Sequence, residues 1–246
     1  MSQSNASTTR GLYKREKTMS KTIFFLAKIF DSEGYAEDFI SGNIFANRLS
    51  YFRELEEEES INRSDKHEGI VSWYRPDQIK IEVNGHVLTD LAGPTSIKMD
   101  CHDYINVFCI YAAHSGELET VSEETLDILK KELEIPKECL NLGEYAVLVT
   151  NVPQFIDRIK KAVMDKNYKM TSGLVTYYDP DTFHGNFFED EPIFRKQDGY
   201  KHQKEYRFAF DTGLVGDDPL ILNIGNISDI AEKCKVSDVN NGLNIT

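Results

Sequence analysis

The stretch Tyr200-Lys201-His202-Gln203-Lys204-Glu205-Tyr206-Arg207-Phe208-Ala209-Phe210 concentrates groups that can do chemistry, and it contains no turn residue. Tyr206, Phe208 and Phe210 alternate with Glu205, Arg207 and Ala209, so a period of two sends the rings to one side of a strand. With the rings in a core, Glu205 and Arg207 look out from the other side. A carboxylate and an arginine two residues apart on a strand are held more firmly than on a loop, as a reaction centre requires. The same pair also suits a cross-strand salt bridge on a solvated sheet face.

A second concentration lies at Ser60 to Gly69, a polar loop with Arg63, Asp65, Lys66, His67 and Glu68, whose closing glycine lets the chain turn sharply. Such loops are often simply solvated. Before it stands Asn47-Arg48-Leu49-Ser50-Tyr51-Phe52-Arg53-Glu54. Arginine forks grip phosphates through two hydrogen bonds, and Asn and Tyr can read ribose and base edges. Cys101, His102 and Cys109 lack the second pair that structural zinc needs, so no metal site is expected. Cys109 sits in an apolar run, where a thiol packs rather than reacts. No Gly-rich phosphate loop, nucleophile elbow or dinucleotide fingerprint is present.

The elements that must position these residues can be read in order. Ile23 to Phe30 is a short apolar run that suits a buried strand. A short helix follows with Ala36, Phe39 and Ile40 inward, Ser32 or Glu33 at its start and Gly42 at its end. Ile44 to Leu49 is extended, and Tyr51 to Glu59 reads as a helical turn. From Ile70 to Leu91 the pattern is antiparallel strands, with Asn84-Gly85 as a hairpin turn. Tyr104 to Tyr111 is another strand. A helix starts at Ser122 and stops before Pro136, with Leu126, Leu129 and Leu133 on one face. Tyr145 to Thr150 is a buried strand, and Asn151 and Pro153 open a helix that turns Phe155, Ile156, Ile159 and Val163 inward. Strands come next at Leu174 to Tyr178, Glu205 to Phe210 and Leu220 to Ile224, then a short helix near Ser228 to Cys234. The fold class is α+β with no internal repeat.

With 246 residues, 40% of them hydrophobic, the chain can bury one sizeable core without staples. Four widely spaced cysteines suit a reducing compartment, and the expected location is cytoplasmic. Residues 1–22 are polar and basic, unlike a signal peptide or membrane span, so the expected plan is a disordered leader (1–22), one domain (23–235) and a flexible tail (236–246), with no membrane partner. A net charge of −13 argues against broad binding to a phosphate backbone. It still leaves room for a local basic patch, with Arg48, Arg53, Arg63, Lys66 and Arg75 as its candidates. The acidic excess equally suits solubility or a basic, neutralising protein partner.

In sequence order stand an early strand, Gly42-Asn43-Ile44-Phe45 after a helix, an arginine loop at Arg63, Asp103-Tyr104-Ile105-Asn106-Val107-Phe108, and Gln203-Lys204-Glu205 opening a late strand. Over about residues 23–210 this order resembles the ADP-ribosyltransferase superfamily, most closely its DNA-targeting toxin branch. It is also similar to uncharacterised bacterial and phage proteins with a C-terminal Gln-x-Glu-Tyr-Arg motif. The resemblance implies a single domain with a split, mostly antiparallel β-sheet cleft flanked by helices, NAD as cofactor, and a macromolecular acceptor, nucleic acid or protein, as for a toxin or phage-conflict effector. It implies Glu205 and Arg63 as catalytic residues, with Asn47, Tyr51, Arg53, Asp65, Tyr104, Gln203 and Arg207 around the cofactor. Where that family places a nicotinamide-gripping His-x-Thr pair on the first strand, this chain has Phe24-Phe25-Leu26-Ala27. The alternatives are a catalytically silent module that captures a nucleotide or protein in the same cleft, and an RNA-processing enzyme that transfers a phosphate there.

Overall fold

A computed structural model describes residues 21–54 and 65–244. The chain runs through β1 (Ile23–Phe30), α1 (Glu33–Ile40), β2 (Asn43–Arg48), α2 (Tyr51–Glu54), β3 (Ile70–Tyr74), β4 (Ile81–Val83), β5 (His86–Leu88), β6 (Thr95–Lys98), α3 (Asp100–Asp103) and β7 (Asn106–His114). It continues through α4 (Leu126–Leu133), α5 (Lys137–Leu140), β8 (Tyr145–Val149), α6 (Val152–Asp165), β9 (Lys169–Leu174), β10 (Thr176–Tyr178), β11 (Gly185–Asn186), β12 (Arg195–Gln197), β13 (Glu205–Asp211), β14 (Leu220–Asn223), β15 (Ala231–Lys235) and α7 (Val236–Val239). The class is the expected mixture of α and β with mostly antiparallel pairing.

Eight strands form the main sheet, and all their pairings are antiparallel. β7 is the pivot. One of its edges takes β13 along residues 106–111. The other edge is shared, with β1 on Tyr111, Ala112, Ala113 and His114 and β2 on Asn106 and Val107 only. The sheet therefore forks into a β1-β8-β15 branch and a β2-β14 branch, while β9 extends it beyond β13. Between the two pairings, the Lys28 ammonium donates to the Cys109 carbonyl at 2.7 Å, supplying a partner that neither strand provides.

Local chemistry sets the helices over this sheet. The Ser32 hydroxyl caps α1 by accepting from the Tyr35 amide, and the Asn151 side chain caps α6 by accepting from the Gln154 amide at 3.2 Å. Gly42 ends α1 at φ 97°, where a Cβ would lie 2.0 Å from the Gly225 carbonyl oxygen, so both conformation and space demand glycine. Along α6, Val152, Phe155, Ile159 and Val163 are buried, at the three- and four-residue spacing of one helical face. With Phe39 of α1 they cover one side of the sheet, against Leu26, Ile44, Phe108, Ile110, Tyr206, Phe208 and Phe210. The Phe155 ring meets Phe208 edge-on at 6.0 Å and Phe39 at the same distance. Each ring fully removed from water contributes roughly 1.5–3 kcal/mol.

The opposite side of the sheet is covered as well. Leu129, Leu133, Cys139 and Val239, from α4, α5 and α7, pack on Ala27, Tyr111 and Ala113. Leu49 and Ile193 pack on Val107 and Ala209. Beyond them lie the small β11-β3-β6 sheet and the parallel β10-β12 pair, with Ile70, Trp73, Tyr178 and Phe187 as their own core. Glu205 and Arg207 do look away from the rings, but the face they look out from is no solvated surface. They are buried beneath this second layer.

Three other expectations are corrected. The segment expected as a helix near Ser228 to Cys234 makes β15, pairing with β8 from Ala231↔Val149 to Lys235↔Tyr145. Ile227 and Ile230 have helical spacing and are buried, yet they form a turn, with the Ile230 amide on the Ile227 carbonyl, and the free edge of β8 recruits residues 231–235 into the sheet. Residues expected as a loose tail carry α7, whose Val239 is buried. The Asn240 amide there bonds both the amide and the carbonyl of Ile135 at 2.9 Å. The strand expected from Tyr104 begins at Asn106, because Tyr104 caps α3 with helical dihedrals. The 1–20 part of the expected leader, residues 55–59 of the expected helical turn and residues 60–64 of the loop lie outside the described residues.

Candidate functional site

The strand that carries Glu205 starts from a constrained turn. Lys204 adopts the left-handed region at φ 38°, sparsely populated for a side chain with a Cβ. Its ammonium is held by the Glu132 carboxylate at 2.7 Å and the Glu132 carbonyl at 2.8 Å, while its carbonyl accepts from the Ala112 amide. The Glu205 amide then donates to the Tyr177 hydroxyl at 3.0 Å and its carbonyl accepts from the Val175 amide. Both ends of the residue are fixed before its side chain is considered.

Four ionised side chains meet on this face. Arg207, in register with Cys109, donates to both oxygens of Glu68, at 2.7 and 3.2 Å, to Glu205 Oε2 at 2.8 Å and to the Ile193 carbonyl. Lys196 donates to Glu205 Oε1 at 2.7 Å and to Gln203 Oε1 at 2.9 Å, and lies 3.7 Å from Glu68 Oε2. The Tyr200 ring is 5.3 Å from its ammonium. Two cations thus face two carboxylates in a charge-balanced cluster. Burial costs each ion several kcal/mol, and only such mutual pairing offsets it. Glu68 is wholly buried and Arg207 nearly so, whereas Glu205 keeps 9% of its surface and is the corner nearest solvent.

The electrostatics reflect this arrangement. Burial alone raises the pKa of Glu205, but Lys196 and Arg207 outweigh it and hold the carboxyl down at about 2, so Glu205 is ionised at neutral pH. Lys196 is pulled in opposite senses by burial and by Glu205 and Glu68, and its pKa ends above the usual lysine range. Asp65 has the reverse fate. Burial first, then the charge of Glu68, push it up to about 6. Its Oδ1 accepts from the His67 amide at 2.9 Å, and its buried Oδ2 has no hydrogen-bond partner among the described residues. The Cys109 thiol is pushed by burial to about 11, which leaves it a packed, unreactive group.

The expected site residues divide accordingly. Glu205, Arg207 and Gln203 come together in the cluster, with Asp65 buried beside Glu68. Arg53 reaches its margin, donating to the Glu68 carbonyl at 3.3 Å, but its charge is taken by Asp103 at 2.5 Å. Asn47 shares the face, paired with Val107, which in turn pairs with Ala209, two residues along from Cys109 and Arg207. Tyr51 is exposed with its ring edge-on to Phe52, and Tyr104 is exposed with its carbonyl holding Arg48. Neither tyrosine joins the cluster. Arg63 lies outside the described residues.

Sequence reasoning missed Lys196 as a site residue altogether and took Glu68 only as part of a charged loop. The signal for Glu68 is its place just before Gly69 at the mouth of β3. For Lys196 the trace is thinner, a lysine next to Arg195 in a short strand, seven residues before Gln203. Among the described residues, no three His, Cys, Asp or Glu side chains group as metal ligands, and no helix is long and apolar enough to cross a membrane. Compared with protein-family models, curated proteins and solved structures, the chain matches none. What the arrangement offers chemically is a rigid, ionised carboxylate beside an amide oxygen, both turned toward one positive charge.

Proposed function

We propose that the chain is an ADP-ribosyltransferase-like enzyme that uses NAD to modify a nucleic acid or protein, with Glu205 as its catalytic carboxylate. The observation that carries this reading is the convergence of Gln203 and Glu205 on a single cation. Breaking a glycosidic bond to nicotinamide develops positive charge on ribose, and a fixed anion aimed at that position stabilises it. Glu205 is ionised for the purpose, and the constrained turn at Lys204 holds it still.

The fit to the rest of the dinucleotide is poor in the described conformation. Arg207 is spent on two carboxylates and Arg53 on Asp103, so neither offers a free fork to a pyrophosphate. This saturation favours a second reading, a catalytically silent module whose charged cluster serves to hold the second layer on the sheet.

Expression of the wild type, Glu205→Gln and Glu205→Asp in bacteria, with protein, DNA and RNA searched by mass spectrometry for added ADP-ribose, separates the two. A wild-type adduct lost by about 100-fold or more in both variants supports the enzyme and identifies the acceptor class. Aspartate keeps the charge but withdraws it by one methylene, so a folded, inactive Glu205→Asp variant distinguishes lost chemistry from lost fold. An adduct made by the Gln variant at the wild-type rate sinks the catalytic assignment. No adduct in any pool from a folded wild type favours the silent module.

A further inference from the structure

The ammonium of Lys196 sits in a complete cage. Glu205 Oε1 lies at 2.7 Å, Gln203 Oε1 at 2.9 Å, Glu68 Oε2 at 3.7 Å, and the Tyr200 ring at 5.3 Å. Two carboxylates, an amide oxygen and an aromatic face are the groups that recognise an organic cation. Of the cage, Glu205 belongs to β13, Glu68 to the loop before β3, and Gln203 and Tyr200 to the turn that follows β12. The occupant comes from β12 itself, a three-residue strand held by the parallel pairing to β10. Tyr200, the most exposed member, and Glu205, which keeps 9% of its surface, form the wall through which an outside cation could enter.

We infer that this cage is a binding site for the cationic end of an organic ligand, and that Lys196 fills it in cis, so that the described state is self-occupied. The inference rests on the proposed function in taking the nicotinamide riboside end of NAD as the cation that displaces Lys196. The ammonium then stands where the donor's positive charge belongs, and the Lys196 side chain must withdraw before Glu205 can act. Since Lys196 also neutralises Glu205 and Glu68, its departure without a replacement cation leaves two buried carboxylates against Arg207 alone. Release is thereby coupled to arrival of another positive charge.

Two measurements test this, and they fail separately. In the first, Lys196→Gly is melted with and without n-butylammonium, which restores the missing stem and charge, against n-butanol and sodium chloride as controls. The cage predicts a lowered melting temperature that millimolar n-butylammonium restores and n-butanol does not. Equal responses to n-butylammonium and n-butanol would overturn the cation site. In the second, wild-type protein is treated briefly with acetic anhydride and Lys196 acetylation is read by mass spectrometry, so the result does not depend on any variant folding. Saturating NAD is expected to raise labelling of Lys196 several-fold and leave the exposed Lys160 unchanged. Protection of Lys196 that NAD does not alter would overturn displacement in cis. Amine rescue without NAD-dependent labelling would uphold the cage but remove NAD as its ligand, and with it the proposed donor.

Discussion

The two faces of β13 obey different rules. Tyr206, Phe208 and Phe210 pack into a continuous apolar layer with α6, where any ring of suitable shape would do much the same work. Glu205 and Arg207, one residue away in each case, depend on particular partners, Glu68 from far earlier in the chain and Lys196 from β12 nine residues before Glu205. The apolar face is stabilised by area, and its contributions are additive to a first approximation. The charged face is stabilised only while positive and negative charges balance, so any single loss exposes the cost of burying the remainder. A strand this asymmetric is expected where one face folds the protein and the other holds a site.

The sharpest way to break this comparison is to unbalance the charges. Arg207→Met is expected to cost about 3–5 kcal/mol in denaturant unfolding, because Glu68 and Glu205 are left facing Lys196 alone. Phe208→Ala should cost a similar amount, about 3–5 kcal/mol, through its cavity. The second substitution then tells the faces apart. Adding Glu68→Leu to Arg207→Met restores balance and should recover about 2 kcal/mol, whereas adding Phe155→Ala to Phe208→Ala should only deepen the loss.

Acid sharpens the contrast within the charged face, because Glu205 and Asp65 are shifted in opposite directions. Glu205 is depressed from 4.5 to about 2, so its stabilisation is present above the unfolded value and disappears as pH falls through the folded one. Asp65 is raised from 3.8 to about 6, so its contribution is greatest below the unfolded value and is lost as pH rises through the folded one. At neutral pH, Glu205→Gln should therefore destabilise by up to about 3 kcal/mol, and Asp65→Asn should stabilise by about 1–3 kcal/mol. Unfolding curves taken at neutral pH and near pH 4 check both, and the advantage of Asp65→Asn should fade at the lower value. The smallest effect belongs to the apolar side, where Asn151→Ala removes the cap of α6 and should cost about 1 kcal/mol in a thermal or denaturant melt.

Much of the architecture is legible in local pattern. The three-ring alternation places β13, Ser32 and Gly42 bracket α1, and Asn151-Val152-Pro153 announces α6, because each depends on neighbours within one helical turn or strand period. β15 is not legible, since a pair of isoleucines at helical spacing competes with an edge of β8 that only the tertiary fold supplies. Likewise, Asn240 holds α7 in place through Ile135, more than a hundred residues earlier. The site shows the same divide. The motif around Glu205 reads from sequence, but whether its outward face meets water or a second layer does not. Lys196 is invisible because a buried lysine is identified by the anions around it, and Glu68 lies 128 residues away from it in the chain, beyond any periodic signal.

The claim on which both the site and its inferred occupant rest is that Glu205 is a clamped, ionised carboxylate. Its side-chain carboxyl carbon can be tracked by carbon-13 NMR in protein labelled at glutamate, from about pH 7 downward, with the signal assigned by its absence in Glu205→Gln. A carboxylate so clamped gives a resonance that stays at the ionised position through the ordinary glutamate range and moves only as pH approaches about 2 or the protein unfolds. A midpoint at the usual 4.5 in the folded protein would contradict it, because such a carboxyl would not be gripped by Lys196 and Arg207.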